Sequence, residues 1–205
     1  MKERPILFSA PMIRALLAGA KTQTRRAARA PRGYELDGAG FGRLLCSRPN
    51  NSTGERVVAC PYGVPGDRLW VRESYAPAYF GYCRAGYRAD WTRAAADSCA
   101  EPKWTPSIYM PRAASRITLE VTEVRVQRVQ SISELDAIAE GCTPTRDSSS
   151  QYYYGAEHPI KGGRKVFPTA VCAYESLWDA INGKRPGCSW GDNPWVWCVT
   201  FERVP

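Results

Sequence analysis

Histidine is nearly missing from this 205-residue chain: His158 is the only one. None of the eight cysteines, at 46, 60, 83, 99, 142, 172, 188 and 198, stands in a Cys-x-x-Cys spacing. That argues against a zinc ribbon or a thioredoxin-type dithiol, and no metal or cofactor is expected. A cysteine nucleophile would have to find its base in His158, which lies beside Pro159 in a polar stretch. The cysteines read instead as small buried hydrophobes or surface thiols that stay reduced in a cytosol. No apolar run approaches the roughly 20 residues that a membrane helix needs. The opening residues, Met1 to Phe8, are broken by Glu3 and Pro5 and lack the apolar stretch of a secretory leader. These absences point to a cytoplasmic protein with no membrane partner. No internal repeat is visible.

Acidic residues are the scarcer charge, 20 Asp and Glu against 28 Lys and Arg, which gives a net charge of +8. Arginine leads the excess, notably at Arg25, Arg26, Arg29 and Arg32. Guanidinium forks match phosphates and base edges and stack on flat rings. A nucleoside or single-stranded nucleic acid is therefore the expected partner, although charge alone fits any soluble basic protein equally well. With 44% hydrophobic and 23% charged residues, the composition is that of an ordinary globular protein. The length predicts a single domain over 1–205, large enough to bury a core without cross-links.

Residues 5–8 read as a short strand. Ser9 and Pro11 open a helix with Met12, Ile13, Leu16 and Leu17 on one stripe, and Gly19 ends it in a left-handed turn. Thr22 to Arg26 is extended. The Pro65-Gly66-Asp67 turn leads into a strand over 68–73, with Trp70 and Arg72 on one face and Leu69 and Val71 on the other. The longest strand pattern runs from Arg116 to Val129. Its apolar phase slips by one residue after Val121, the mark of a bulge. Ser133 caps a short helix over 134–140, stopped by Gly141. Thr169 opens a helix with Val171, Tyr174, Leu177, Trp178 and Ile181 on one face, and Asn182-Gly183 closes it. Residues 195–201 form a last strand, apolar on both faces and therefore interior. Three stretches, about 27–62, 76–106 and 143–168, read as loop insertions. The predicted fold is α+β and mostly β: a small antiparallel barrel with short helices at its openings.

The chemistry concentrates in Gly19-Ala20-Lys21-Thr22-Gln23-Thr24-Arg25-Arg26, where a helix turns into a strand. Thr22, Thr24 and Arg26 share one strand face, and a turn can bring the Lys21 amine over Thr24. Lys21 and Thr24 then make a base–nucleophile pair if burial lowers the lysine pKa. The same cluster also fits a solvated basic strand start that holds phosphate. Two carboxylates compete as the acidic partner. Glu140 ends a helix, where its charge opposes the dipole; Glu73 follows the Trp70 strand. A further segment, Trp104 to Arg112, offers Tyr109 and Met110 for stacking on a base and Arg112 for phosphate or carbonyl groups, or else packs into the core.

The stretch Leu17 to Arg26 resembles the signature of the ASCH domains, a family with a PUA-like barrel fold. The Ala139-Glu140-Gly141 helix end and the Pro65 to Leu69 turn are similar to the family pattern in the same order. Asn193-Pro194-Trp195-Val196-Trp197 resembles a larger subgroup often encoded by phages and prophages. Small bacterial members are metal-independent N4-acetylcytidine amidohydrolases about half as long as this chain. The resemblance implies a lysine at Lys21, a threonine nucleophile at Thr24 and an orienting glutamate at Glu140. Thr22, Arg26, Trp70, Glu73, Tyr109, Met110 and Arg112 are expected to bind substrate. A base- or RNA-binding module is the alternative, and a ribonuclease the third expectation.

Overall fold

The computed structural model describes residues 1–40, 43–47, 56–77, 86–91, 101–146, 152–157 and 164–204. His158, Tyr79, Tyr82, Cys83 and Cys99 lie outside them. The described chain is α+β and mostly β. Strand β1 (Glu3–Leu7) leads into helix α1 (Ala10–Leu17), which is followed by β2 (Gln23–Ala27). Next come β3 (Glu35–Gly40), β4 (Arg43–Ser47), β5 (Arg56–Val58) and β6 (Arg68–Arg72). The long β7 (Thr118–Arg128) precedes helix α2 (Glu134–Ala139). Strands β8 (Thr143–Arg146), β9 (Tyr152–Glu157) and β10 (Arg164–Phe167) lead to helix α3 (Ala170–Asn182) and finally β11 (Trp195–Val204).

The main sheet has the order β1-β6-β7-β11-β2, with β1 parallel to β6 and the other neighbours antiparallel. The expected barrel is not closed among the described residues. Among the described residues no ladder joins the edge strands β1 and β2. One side-chain bond bridges them, from Arg26 Nη2 to the Leu7 carbonyl at 2.6 Å. The bulge expected after Val121 is there: Thr200 pairs with Glu123 and Phe201 with Val121, which leaves Thr122 unopposed.

Strand β11 is flanked on both sides, as its two apolar faces predict. Trp197, Val199 and Phe201 enter one core with Ile6, Phe8, Ile13, Leu69, Val71, Leu119 and Val121. Val196 and Cys198 enter a second core with Ala137, Cys142, Ala173, Tyr174 and Trp178. A central strand that feeds both cores must carry apolar residues at consecutive positions, not alternate ones.

Two of the three expected loops are small sheets. The 27–62 stretch contains the antiparallel β3-β4-β5, and 143–168 contains β8-β9-β10. Their sequences hide this because the strands are short and pair locally; in β3 the register also slips between Leu36 and Gly38. Leu44 of β4 is buried in the first core, and Tyr154 and Phe167 pack on the second. The described parts of 76–106 hold single bridges from Tyr75 to Tyr87 and Thr105.

Phe201 is 1% exposed, and its ring lies edge-on to Phe8 at 6.3 Å. Phe201→Ala is expected to cost about 3–5 kcal/mol of stability. Urea unfolding checks this, and a loss below about 1 kcal/mol would contradict the packing described.

Candidate active site

The site begins where α1 ends. Gly19 takes φ 71°, a left-handed value that a side chain resists, and turns the chain out of the helix. The Ala20 and Lys21 N–H groups both donate to the Ala15 carbonyl, at 2.9 and 3.1 Å. The Thr22 N–H then donates to the Ala139 carbonyl at 2.9 Å, and the Thr22 carbonyl accepts from Phe201 N–H at 2.9 Å. These bonds pin the start of β2 between the end of α2 and strand β11.

They also set Lys21 against Glu140. The Lys21 side chain is fully buried, and Nζ donates to Glu140 Oε2 at 2.7 Å and to the Glu140 carbonyl at 2.8 Å. Glu140 is the last residue of the α2 turn, where free carbonyls and the dipole favour a cation. One ammonium therefore satisfies the helix end and offsets the carboxylate that the dipole disfavours. Gly141 follows with φ 102°, and a Cβ there would sit 3.4 Å from the Ala15 Cβ. Burial lowers the Lys21 pKa below the ordinary lysine value, with the Glu140 charge opposing.

Strand β2 divides its side chains by period two. Gln23 and Arg25 point to the second core: Arg25 Nη2 donates to Asp136 Oδ2 at 2.8 Å, and its guanidinium lies 5.9 Å from the Tyr174 ring. Arg25 Nη1 also stands 3.6 Å from Glu140 Oε1, an oxygen left without a hydrogen bond. Thr24 pairs with Val199 on the opposite face. Arg26 shares that face and lies over the Phe8 ring at 5.1 Å, with Lys21 Nζ at 5.8 Å from the same ring.

Thr24, Arg25, Arg26 and Glu140 line a cavity of about 600 Å³. That lies within the roughly 300–1,000 Å³ typical of small-molecule sites. Its other walls come from α3 (Tyr174, Leu177, Trp178, Ile181, Asn182), from Trp197 and from the segment Val58 to Tyr62. Thr24 is 3% exposed, and its hydroxyl makes no hydrogen bond among the described residues. Lys21 is not part of the lining; it reaches the cavity through Glu140.

The other expected binding residues lie elsewhere. Thr22 is exposed, and its backbone does the pinning described above. Glu73 is buried against Arg116, whose Nε and Nη2 reach its two oxygens at 2.8 and 3.0 Å. Met110 is fully buried and accepts from the Glu73 N–H; Tyr109 is 71% exposed. Arg112 pairs with Glu3 at 2.9 Å, and Trp70 carries the Arg72 guanidinium at 4.7 Å. Of the seven, Arg26 alone lines the cavity.

Sequence reasoning includes Arg25 in the cluster without giving it a role, and does not find Asp136 or the α3 face. The helical spacing of Tyr174, Leu177 and Trp178 is visible in the sequence, but it equally marks core. Among the described residues no group of three or more His, Cys, Asp or Glu is placed to hold a metal ion. No protein-family model, curated protein or solved structure matches this chain. The chemistry of the site therefore has to come from its geometry.

Removing one member of a buried pair strands the other charge. Lys21→Met is expected to cost about 3–5 kcal/mol, and Lys21→Met/Glu140→Gln to be more stable than the single variant. Denaturant unfolding of both checks this; a double variant less stable than Lys21→Met contradicts it. The Asp136 carboxyl is held below its ordinary value, since burial raises it but Arg25 and Arg125 outweigh burial. Its stabilisation is thus complete above the unfolded value of 3.8 and is lost as pH falls through the lower folded value. The stability gap between the wild type and Asp136→Asn should hold at neutral pH and close below pH 3.8.

Proposed function

We propose that this chain is a metal-independent amidohydrolase acting on a modified pyrimidine nucleoside of the N4-acetylcytidine kind, with the PUA-like fold of the ASCH domains. One observation carries the reading: Lys21 and Glu140, 119 residues apart, meet in a buried pair at 2.7 Å, and Glu140 shares a cavity with an unbonded Thr24 hydroxyl. The order β1-β6-β7-β11-β2, bridged at its open seam by Arg26, supports a barrel-like sheet.

In this scheme Thr24 Oγ1 bonds to the acetyl carbonyl carbon as its proton passes, by way of the Glu140 carboxylate, to the Lys21 amine. Burial shifts Lys21 toward the amine, and the Glu140 charge opposes that shift. The bond from the carbonyl carbon to N4 then breaks, and N4 takes the proton back from Lys21. Water hydrolyses the acyl-threonine and acetate leaves. Glu140 orients Lys21 through Oε2, and its unbonded Oε1 offers an acceptor to an N–H on the substrate. The Tyr174, Trp178 and Trp197 rings beside it supply flat apolar surface for a base.

A second reading, binding without turnover, draws support from the two hydrogen bonds that hold Lys21 on Glu140 and from the arginines of the lining.

Purified protein incubated with N4-acetylcytidine should release acetate. Thr24→Val and Lys21→Ala are each expected to lower kcat by about 10²–10⁴-fold, while Thr24→Ser keeps measurable turnover. Full activity in both Thr24→Val and Lys21→Ala would sink the mechanism. No turnover by the wild type, together with salt-sensitive RNA binding, would favour the second reading.

A further inference from the structure

We infer that the cavity takes a phosphorylated ligand, a nucleotide whose phosphate is held by Arg29 and Arg185. The inference rests on this cavity being the substrate site, and it adds the class of substrate.

The lining carries Arg25, Arg26, Arg29 and Arg185 against one carboxylate, Glu140. That carboxylate is already shared, at 2.7 Å by Lys21 and at 3.6 Å by Arg25. Arg25 also spends its charge on Asp136 at 2.8 Å. Positive charge therefore remains in excess around a walled space, where low-dielectric surroundings focus the field.

The arginines form a gradient of exposure. Arg25 is buried, Arg26 is half-buried, and Arg29 and Arg185 are exposed residues of the lining. Arg26 is occupied by the Leu7 carbonyl and the Phe8 ring. Neither Arg29 nor Arg185 has an ion pair or a side-chain hydrogen bond among the described residues. Both therefore bring an unneutralised guanidinium fork to the lining of one cavity. Phosphate oxygens fit guanidinium forks in a way that uncharged sugar hydroxyls do not.

The depth order matches a nucleotide. Tyr174, Trp178 and Trp197 are, like Thr24 and Glu140, nearly fully buried residues of the lining. A base belongs there. Its sugar then leads outward, and a phosphate on that sugar arrives where the unpaired arginines are. A free nucleoside would leave both arginines without a partner.

Calorimetric titration of the full chain with cytidine and with cytidine 5′-monophosphate tests this. At low ionic strength the monophosphate is expected to bind at least about tenfold more tightly, with the gap shrinking as salt rises. In Arg29→Ala/Arg185→Ala the ratio should fall toward one. Arg203→Ala, an exposed site off the cavity, should keep it. Equal affinities in the wild type, no binding of either compound, or a preference that survives the double variant each overturn the inference. A 5′-phosphorylated cytidine dinucleotide identifies the source: tighter binding than the monophosphate points to a strand, weaker binding to a free nucleotide, and either supports the phosphate site. If N4-acetylcytidine is not hydrolysed but the preference persists, the amide chemistry fails and the phosphate site stands. Hydrolysis without the preference keeps the amide chemistry and removes the phosphate site.

Discussion

A lysine clasped by a helix end organises this molecule. Burying an ammonium and a carboxylate costs several kcal/mol per ion unless hydrogen bonds replace the water they lose. Lys21 meets that demand by donating twice to one residue, to the carboxylate and to the carbonyl of Glu140. The clasp ties the α1–β2 turn to the end of α2, and the Thr22 to Ala139 backbone bond doubles it. Because β2 is an edge strand held on its other side by β11, fixing its first residues fixes where Thr24, Arg25 and Arg26 stand.

The two-core sheet is the second constraint. Side chains on β2 must go to one core or the other, and period two sends Thr24 and Arg26 one way and Gln23 and Arg25 the other. Glu140 stands 3.6 Å from Arg25 of one set and shares the cavity lining with Thr24 and Arg26 of the other. The cavity lies between this edge strand and α3.

Much of this is legible in the sequence because the signals are local. Gly19 in its left-handed turn, the Ser133 and Thr169 caps, the slip after Val121 and the doubly apolar β11 each follow from a few neighbouring residues. Glu140 is legible for a different reason: a carboxylate at a helix C-terminus is an electrostatic oddity that asks for a cation. The small sheets β3-β5 and β8-β10 are not legible, since strands of three to six residues pairing with their neighbours leave little periodicity. Nor are the walls of the cavity. Glu73, Tyr109, Met110 and Arg112 have suitable chemistry, but composition does not say which way a segment faces. Glu73 and Met110 turn inward to Arg116 and to each other, while Tyr109 turns to solvent.

The chain leaving β5, from Val58 to Tyr62, forms one wall of the cavity. That wall runs on from a small sheet with its own ladder, while the clasp, the threonine and the Tyr174, Trp178 and Trp197 rings belong to the main sheet and its helices. Exchanging residues at 58–62 reshapes what fits inside without disturbing the buried ion pair. At Val58, Cys60 and Tyr62, which also pack on the first core, such an exchange has to keep an apolar side chain.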